Sequence, residues 1–203
     1  MIIAIGWTGA SGLKYGTHLV KNLLALGHEV HLIYTQAAQI VAKQELNCVL
    51  PAHPDKAKSL LCQQFNWHNY ADHLRIFTIQ DWFAPLASGT GKVDALVICP
   101  CTMGTLAAIA HGLSDDLLSR GADVMLKEHK KLILVPRETP FSALHLENML
   151  KLAQWGATIL PPNPGFYQNP QTIDDLINFV TARILDQLNI THTLLPQWGR
   201  ETS

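Results

Sequence analysis

The sequence predicts one α/β domain, a three-layer αβα sandwich of Rossmann-like or flavodoxin-like type with a parallel sheet. Two observations predict it. Short apolar runs rich in β-branched residues alternate with segments of helical spacing, the rhythm of strands joined by crossover helices. The runs are also apolar throughout rather than alternating, as expected of strands covered by helices on both faces. The 203 residues, 48% of them hydrophobic, suffice for one sizeable core, so the whole of 1–203 is read as one domain with a polar tail from about residue 189.

The strand candidates in order are MIIAIG, EVHLIYT, ALVICP, KLILVP and ATILP. The first runs into Gly6-Trp7-Thr8-Gly9-Ala10-Ser11-Gly12, and a helix is expected from near Leu13. A glycine-rich strand-to-helix turn offers unpaired amides and a helix dipole to an anion, so it is either a phosphate loop or a turn that needs glycine for packing. Its spacing is not the G-x-G-x-x-G of dinucleotide binders, and the second strand candidate ends in Thr35, without an acidic residue to grip a ribose. Both departures disfavour NAD, whereas a hydroxyl at Thr35 suits the terminal phosphate of a mononucleotide such as FMN.

Residues 47–75, with Pro51, Pro54, three histidines and Trp67, read as an excursion or a short helix plus loop and receive no chemistry. ALVICP leads into Cys99-Pro100-Cys101-Thr102-Met103-Gly104-Thr105, a second loop opening a helix at a strand's carboxyl end, where open α/β sheets bind ligands. Thr102 reads as a helix cap and Cys101 as a packing residue rather than a nucleophile. Arg120 and Lys127 fall on the next helix, and the run from Lys127 to Lys131 reads as its solvated end. Arg137 and Glu138 follow LILVP at the strand's carboxyl edge, as an exposed ion pair or as a phosphate clamp beside a proton-transfer group. Tyr167 lies in the proline-bounded PPNPGFYQNP and Arg183 in a final helix expected over Thr172 to Leu188. In the tail, Pro196 precedes Trp198, a residue type that often buries against a neighbouring subunit.

A net charge of -1 provides no basic face for nucleic acid or an anionic membrane, and no apolar run approaches a bilayer span. Cys48, Cys62, Cys99 and Cys101 form no disulfide framework, and a cytoplasmic location is expected. Ten histidines include no His-x-x-x-His or His-Glu-x-x-His pattern, so no metal is expected.

GASG followed by Tyr15-Gly16, ICPCTMGTL, LLSRGADVMLKE, LVPRETPFSALHLENML and LPPNPGFYQNPQ together resemble the UbiX-type flavin prenyltransferases. Five blocks in the same order cover almost the whole chain, most densely from Asp94 to Leu188. The resemblance implies a homo-oligomer, a dodecamer, that binds FMN and takes dimethylallyl phosphate without a metal. It also implies that the prenylated flavin passes to a UbiD-type decarboxylase. Carried over by position, Gly9, Ala10, Ser11, Thr35, Cys101, Thr102, Met103, Gly104 and Arg137 are implied flavin contacts. Arg120, Lys127, Tyr167 and Arg183 are the implied prenyl-phosphate site, and Glu138 with Glu45 and Ser11 the implied proton-handling set. Trp7, Thr35 and Thr102 depart from the family pattern, Trp7 at a loop position that is often small. Two other readings are a flavin-dependent cysteine decarboxylase, whose Pro-Ala-Ser-Ala-Asn signature is not recognisable here, and a non-catalytic FMN carrier. The carrier would not need Lys127, Glu138, Tyr167 and Arg183 together.

Overall fold

The structure, a computed structural model, describes residues 1–195; the tail's Pro196 and Trp198 lie outside the described residues. The chain runs β1 (Ile2–Trp7), α1 (Leu13–Ala25), β2 (Glu29–Tyr34), α2 (Gln36–Leu46), α3 (Pro54–Phe65), β3 (Leu74–Phe77), β4 (Ala95–Cys101), α4 (Met103–Ala110), α5 (Leu117–Lys127), β5 (Lys131–Pro136), α6 (Ala143–Gln154), β6 (Thr158–Ile159) and α7 (Ile173–Gln187). The sheet has the order β3-β2-β1-β4-β5-β6, and every pair is parallel. This is the Rossmann order, with the switch point between β1 and β4.

Strand periodicity divides the core in two. Ile3, Ile5 and Trp7 of β1 point to one face and pack with Leu19, Leu23 and Ile184 of α1 and α7, while Ala4 joins Leu106, Leu118 and Leu152 on the other. In β4, Ala95, Val97 and Cys99 share the first face, yet Cys101 belongs to the second. The β4–β5 register shifts between Ile98 and Cys101, so the alternation slips at the strand's carboxyl end, next to the ligand edge.

Four expectations need correction. Trp7 is the last residue of β1 and fully buried, not a loop residue; a Cβ on Gly16 would lie 2.6 Å from its indole nitrogen. Cys101 ends β4, which runs one residue past ALVICP, so the loop after the strand opens at Thr102 and not at Cys99. Residues 47–75 hold the expected short helix, α3, but lead into β3, an edge strand absent from the strand candidates because only Leu74 of its LRIF is buried and so no apolar run marks it. ATILP contributes only the two residues of β6. The final helix is capped by Thr172, and the chain beyond it first packs back, with Leu188 and Ile190 buried in the core.

Candidate active site

A cavity of about 500 Å³ lies at the carboxyl ends of β1 and β5, lined by Ser11, Tyr15, Arg137, Glu138, Phe141 and Pro162 among others. Ser11 and Glu138, far apart in sequence, therefore face one space. The Arg137 guanidinium donates from Nε to the Ser11 carbonyl at 3.2 Å and its backbone amide to the Cys101 carbonyl at 3.3 Å. Arg137 thereby ties the first loop to β4 and β5. It forms no ion pair with Glu138, whose carboxylate accepts the Thr139 amide at 3.2 Å. Partial burial raises the pKa of the Tyr15 phenol in the wall of this cavity.

The glycines of the first loop have structural causes. Gly12 caps α1 with φ of 100°, a left-handed conformation that a side chain would strain. A Cβ on Gly9 would fall 2.5 Å from the Ala37 Cβ at the start of α2. The anion at the amino end of α1 is the chain's own. Gly12 N–H donates to both Glu45 carboxylate oxygens at 3.0 Å, and Leu13 N–H to one of them at 2.9 Å. Of the two readings of this loop, the turn that needs glycine for packing has its causes in the chain, and Glu45, brought in from α2, accepts two of the amino-terminal amides of α1 and complements its dipole.

The second loop differs. Thr102 caps α4 by accepting the Thr105 amide at 3.1 Å, as Thr35 caps α2 by accepting that of Ala38, also at 3.1 Å. Gly104 sits in the first turn of α4, where an added Cβ would meet nothing within 4 Å. Among the described residues no neighbour demands a glycine there, and its open side leaves room for a flat ligand. Met103 is largely buried, and Cys101 is fully so. Burial pushes the Cys101 thiol up to about 12, so it is protonated and unreactive at neutral pH.

The four residues implied for the prenyl phosphate lie elsewhere. Arg120 donates to the Ala87 carbonyl at 3.0 Å and pairs with Asp123 at 2.7 Å. Lys127 pairs with Glu128 at the carboxyl end of α5. Close by, Lys130 grips the Val93 carbonyl at 2.9 Å just ahead of β4. That is the amino end of the sheet, and the length of β5, roughly 20 Å at 3.3 Å per residue, separates Lys127 from Glu138. Arg183 pairs with Asp186 at 2.6 Å and lines a second cavity of about 330 Å³, which shares Pro161 and Asn163 with the first. Tyr167 packs edge-on against Phe179 of α7, ring centres 5.7 Å apart. One subunit therefore brings together Ser11, Arg137 and Glu138, sets Arg183 next door, and leaves Arg120 and Lys127 apart.

Sequence reasoning missed Thr8, which is 1% exposed. Its hydroxyl donates to the Pro100 carbonyl and accepts the Thr102 amide, both at 2.8 Å. No local spacing signals a contact across more than ninety residues. Among the described residues, no group of three or more His, Cys, Asp or Glu side chains could hold a metal ion, and no helix is long and apolar enough to cross a membrane.

A parallel sheet in this order, with two helix-opening loops flanking its switch point, defines a mononucleotide-type Rossmann protein. The family described as Flavoprotein matches residues 1–185, and the chain belongs to it. More narrowly, it belongs to the UbiX flavin prenyltransferases. The flavin prenyltransferase UbiX of Pseudomonas aeruginosa is 48% identical over 199 residues, covering 98% of this chain and 94% of the relative. Among solved structures, AnUbiX (PadA1) in complex with FMN and dimethylallyl pyrophosphate matches with TM-score 0.84 and 38% identity over 98% of each chain. A dodecameric FMN-dependent UbiX-like decarboxylase from Escherichia coli O157:H7 has the same TM-score at 36% identity, over 98% of this chain and 100% of that one.

Proposed function

We propose that this chain transfers the dimethylallyl group of dimethylallyl phosphate to N5 and C6 of reduced FMN, making prenylated FMN for a UbiD-type decarboxylase. The observation that carries the reading is the convergence of Ser11, Arg137 and Glu138 on one cavity beside the switch point, in a chain that belongs to the flavin prenyltransferases. The second loop fits a flavin, since Met103 and the open side of Gly104 leave space for a flat ring. The crystallised relative held the pyrophosphate; the monophosphate is our assignment for this chain.

In the reaction the allylic C–O bond breaks with its electron pair on phosphate, and N5 and then C6 of the flavin each form a bond to the prenyl carbons. By atom count, N5 and C6 each lose a proton and the alkene gains one. Glu138 both accepts and returns protons at this edge, with Ser11 as hydroxyl partner. Glu45 contributes by fixing the loop that carries Ser11. Arg120, Lys127, Tyr167 and Arg183 bind the phosphate and neutralise the departing charge without a metal. Because Lys127 lies about a strand length from Glu138, and Arg120 is turned to the Ala87 carbonyl outside the cavity lining, we assign Arg120 and Lys127 to a neighbouring subunit's site, in a dodecamer like that of the Escherichia coli relative. Four free, buried cysteines suit the reducing cytoplasm, where we place the enzyme.

The test is anaerobic incubation with reduced FMN and either dimethylallyl phosphate or the pyrophosphate, followed by mass spectrometry of the released flavin. A flavin enlarged by one prenyl group with the monophosphate supports the reading. An unchanged flavin with both donors overturns it, and turnover with the pyrophosphate alone overturns the donor assignment.

A further inference from the structure

We infer that Thr8 is a positioning residue for the flavin cradle, its one hydroxyl fixing the separation of the two loops that leave β1 and β4. The inference rests on the flavin reading above and goes beyond it, because Thr8 faces neither cavity wall and belongs to none of the motif blocks that carry the resemblance.

The regular pairing of β1 with β4 ends at Gly6 and Ile98. Beyond it the ladder cannot continue as before. Pro100 has no N–H to donate, and the register of β4 against β5 shifts between Ile98 and Cys101. The strand ends would be free to splay at the place where the Gly9–Gly12 and Thr102–Gly104 loops diverge. Thr8 closes that gap with three bonds. Its amide donates to the Pro100 carbonyl at 3.3 Å, its hydroxyl to the same carbonyl at 2.8 Å, and the hydroxyl accepts the Thr102 amide at 2.8 Å. A hydroxyl can donate once and accept, so the side chain is matched to both partners at once. Thr102 in turn caps α4 through its own hydroxyl. The position of Thr8 is thereby transmitted in one rigid step to the first turn of α4, where Gly104 opens. Arg137 braces the other side by bonding the Ser11 carbonyl and the Cys101 carbonyl.

Valine at position 8 keeps the shape and removes both side-chain bonds, leaving the Thr102 amide without an acceptor. Serine keeps the hydroxyl, and cysteine offers a weaker donor and acceptor. The control is Thr181→Val, which deletes another fully buried hydroxyl bond, to the Ile177 carbonyl at 2.9 Å, in α7. FMN affinity, melting temperature and backbone amide exchange are measured on the intact protein. The expected result is FMN binding about tenfold weaker in Thr8→Val, near wild type in Thr8→Ser and intermediate in Thr8→Cys, with Thr181→Val unchanged. In flavin-free wild type, the Thr102 amide should exchange at least about tenfold more slowly than those of Met103 and Gly104. Equal exchange at all three amides overturns the inference, and this holds whether or not Thr8→Val folds. A flat affinity series across serine, cysteine and valine, or an equal loss in Thr181→Val, also overturns it. Wild-type protein that takes up no FMN would instead overturn the flavin reading on which it rests.

Discussion

Two carboxylates that family resemblance groups together behave differently in their surroundings. Glu138 opens on the cavity, and among the described residues its carboxylate accepts only the Thr139 amide, which leaves the other oxygen open to the cavity where we propose it exchanges protons. Glu138→Gln is therefore expected to retain fold and flavin while slowing ring closure by about 10²-fold. In a stopped-flow experiment, phosphate release should then run ahead of the product's absorption spectrum; the two rising together at wild-type rate would refute the assignment. Glu45 instead receives three amide contacts from Gly12 and Leu13. Its removal resembles the loss of an N-cap, so Glu45→Ala should cost about 1 kcal/mol, a drop of about 2–4 °C in melting temperature. Glu45→Gln keeps an acceptor oxygen but cannot carry a proton as an acid. Activity retained in Glu45→Gln and lost in Glu45→Ala would assign Glu45 to positioning, whereas loss in both would assign it to proton transfer.

At the scale of elements, the strands buried on both faces were legible because their apolar runs are long and bounded by glycine or proline. β3 was not, since an edge strand of four residues with one buried side chain carries no such run. Of the candidate site, Ser11 and Arg137, which the structure brings to one cavity, were legible because each follows a strand's carboxyl end. It was illegible where two distant segments meet: neither Thr8 reaching Pro100 nor Glu45 reaching Gly12 leaves a trace in local spacing. β2 supplies a test of pH dependence. His31 is 2% exposed, bonds Glu29 through Nε2 at 2.8 Å and lies 5.0 Å from the Phe77 ring, while Arg75 also pairs with Glu29 at 3.0 Å. Burial, the largest influence, pulls the His31 pKa below its ordinary value, and the Arg75 charge adds to this against the opposing pull of Glu29. The unfolded chain therefore takes up the proton first, and stability falls as pH drops through about 6.5. Burial likewise depresses His18 and His28, which act in the same window. Thermal melts between about pH 7.5 and about pH 5.5 should show the decline, and His31→Gln should reduce its slope. An identical slope in the variant would remove His31 from the account.

At the scale of the whole molecule, Lys127 and Glu138 sit at opposite ends of one sheet, the first at the carboxyl end of α5 ahead of β5 and the second just past the end of β5. Lys127→Ala should keep FMN binding nearly intact while abolishing use of the prenyl phosphate, and its partial rescue provides the sharper measurement. When Lys127→Ala and Glu138→Gln subunits are unfolded, mixed equally and reassembled, random neighbours should restore a complete site in roughly a quarter of cases. A mixture no more active than its parents would place Lys127 and Glu138 within one subunit's chemistry. The same separation has a consequence for any assay of this protein. The divided site we propose exists only while the chains are associated, so turnover per chain becomes a function of how much protein is in the tube. On serial dilution it should hold constant and then fall steeply below the dissociation threshold, while bound flavin fluorescence, which we assign to one chain's loops, declines later or not at all.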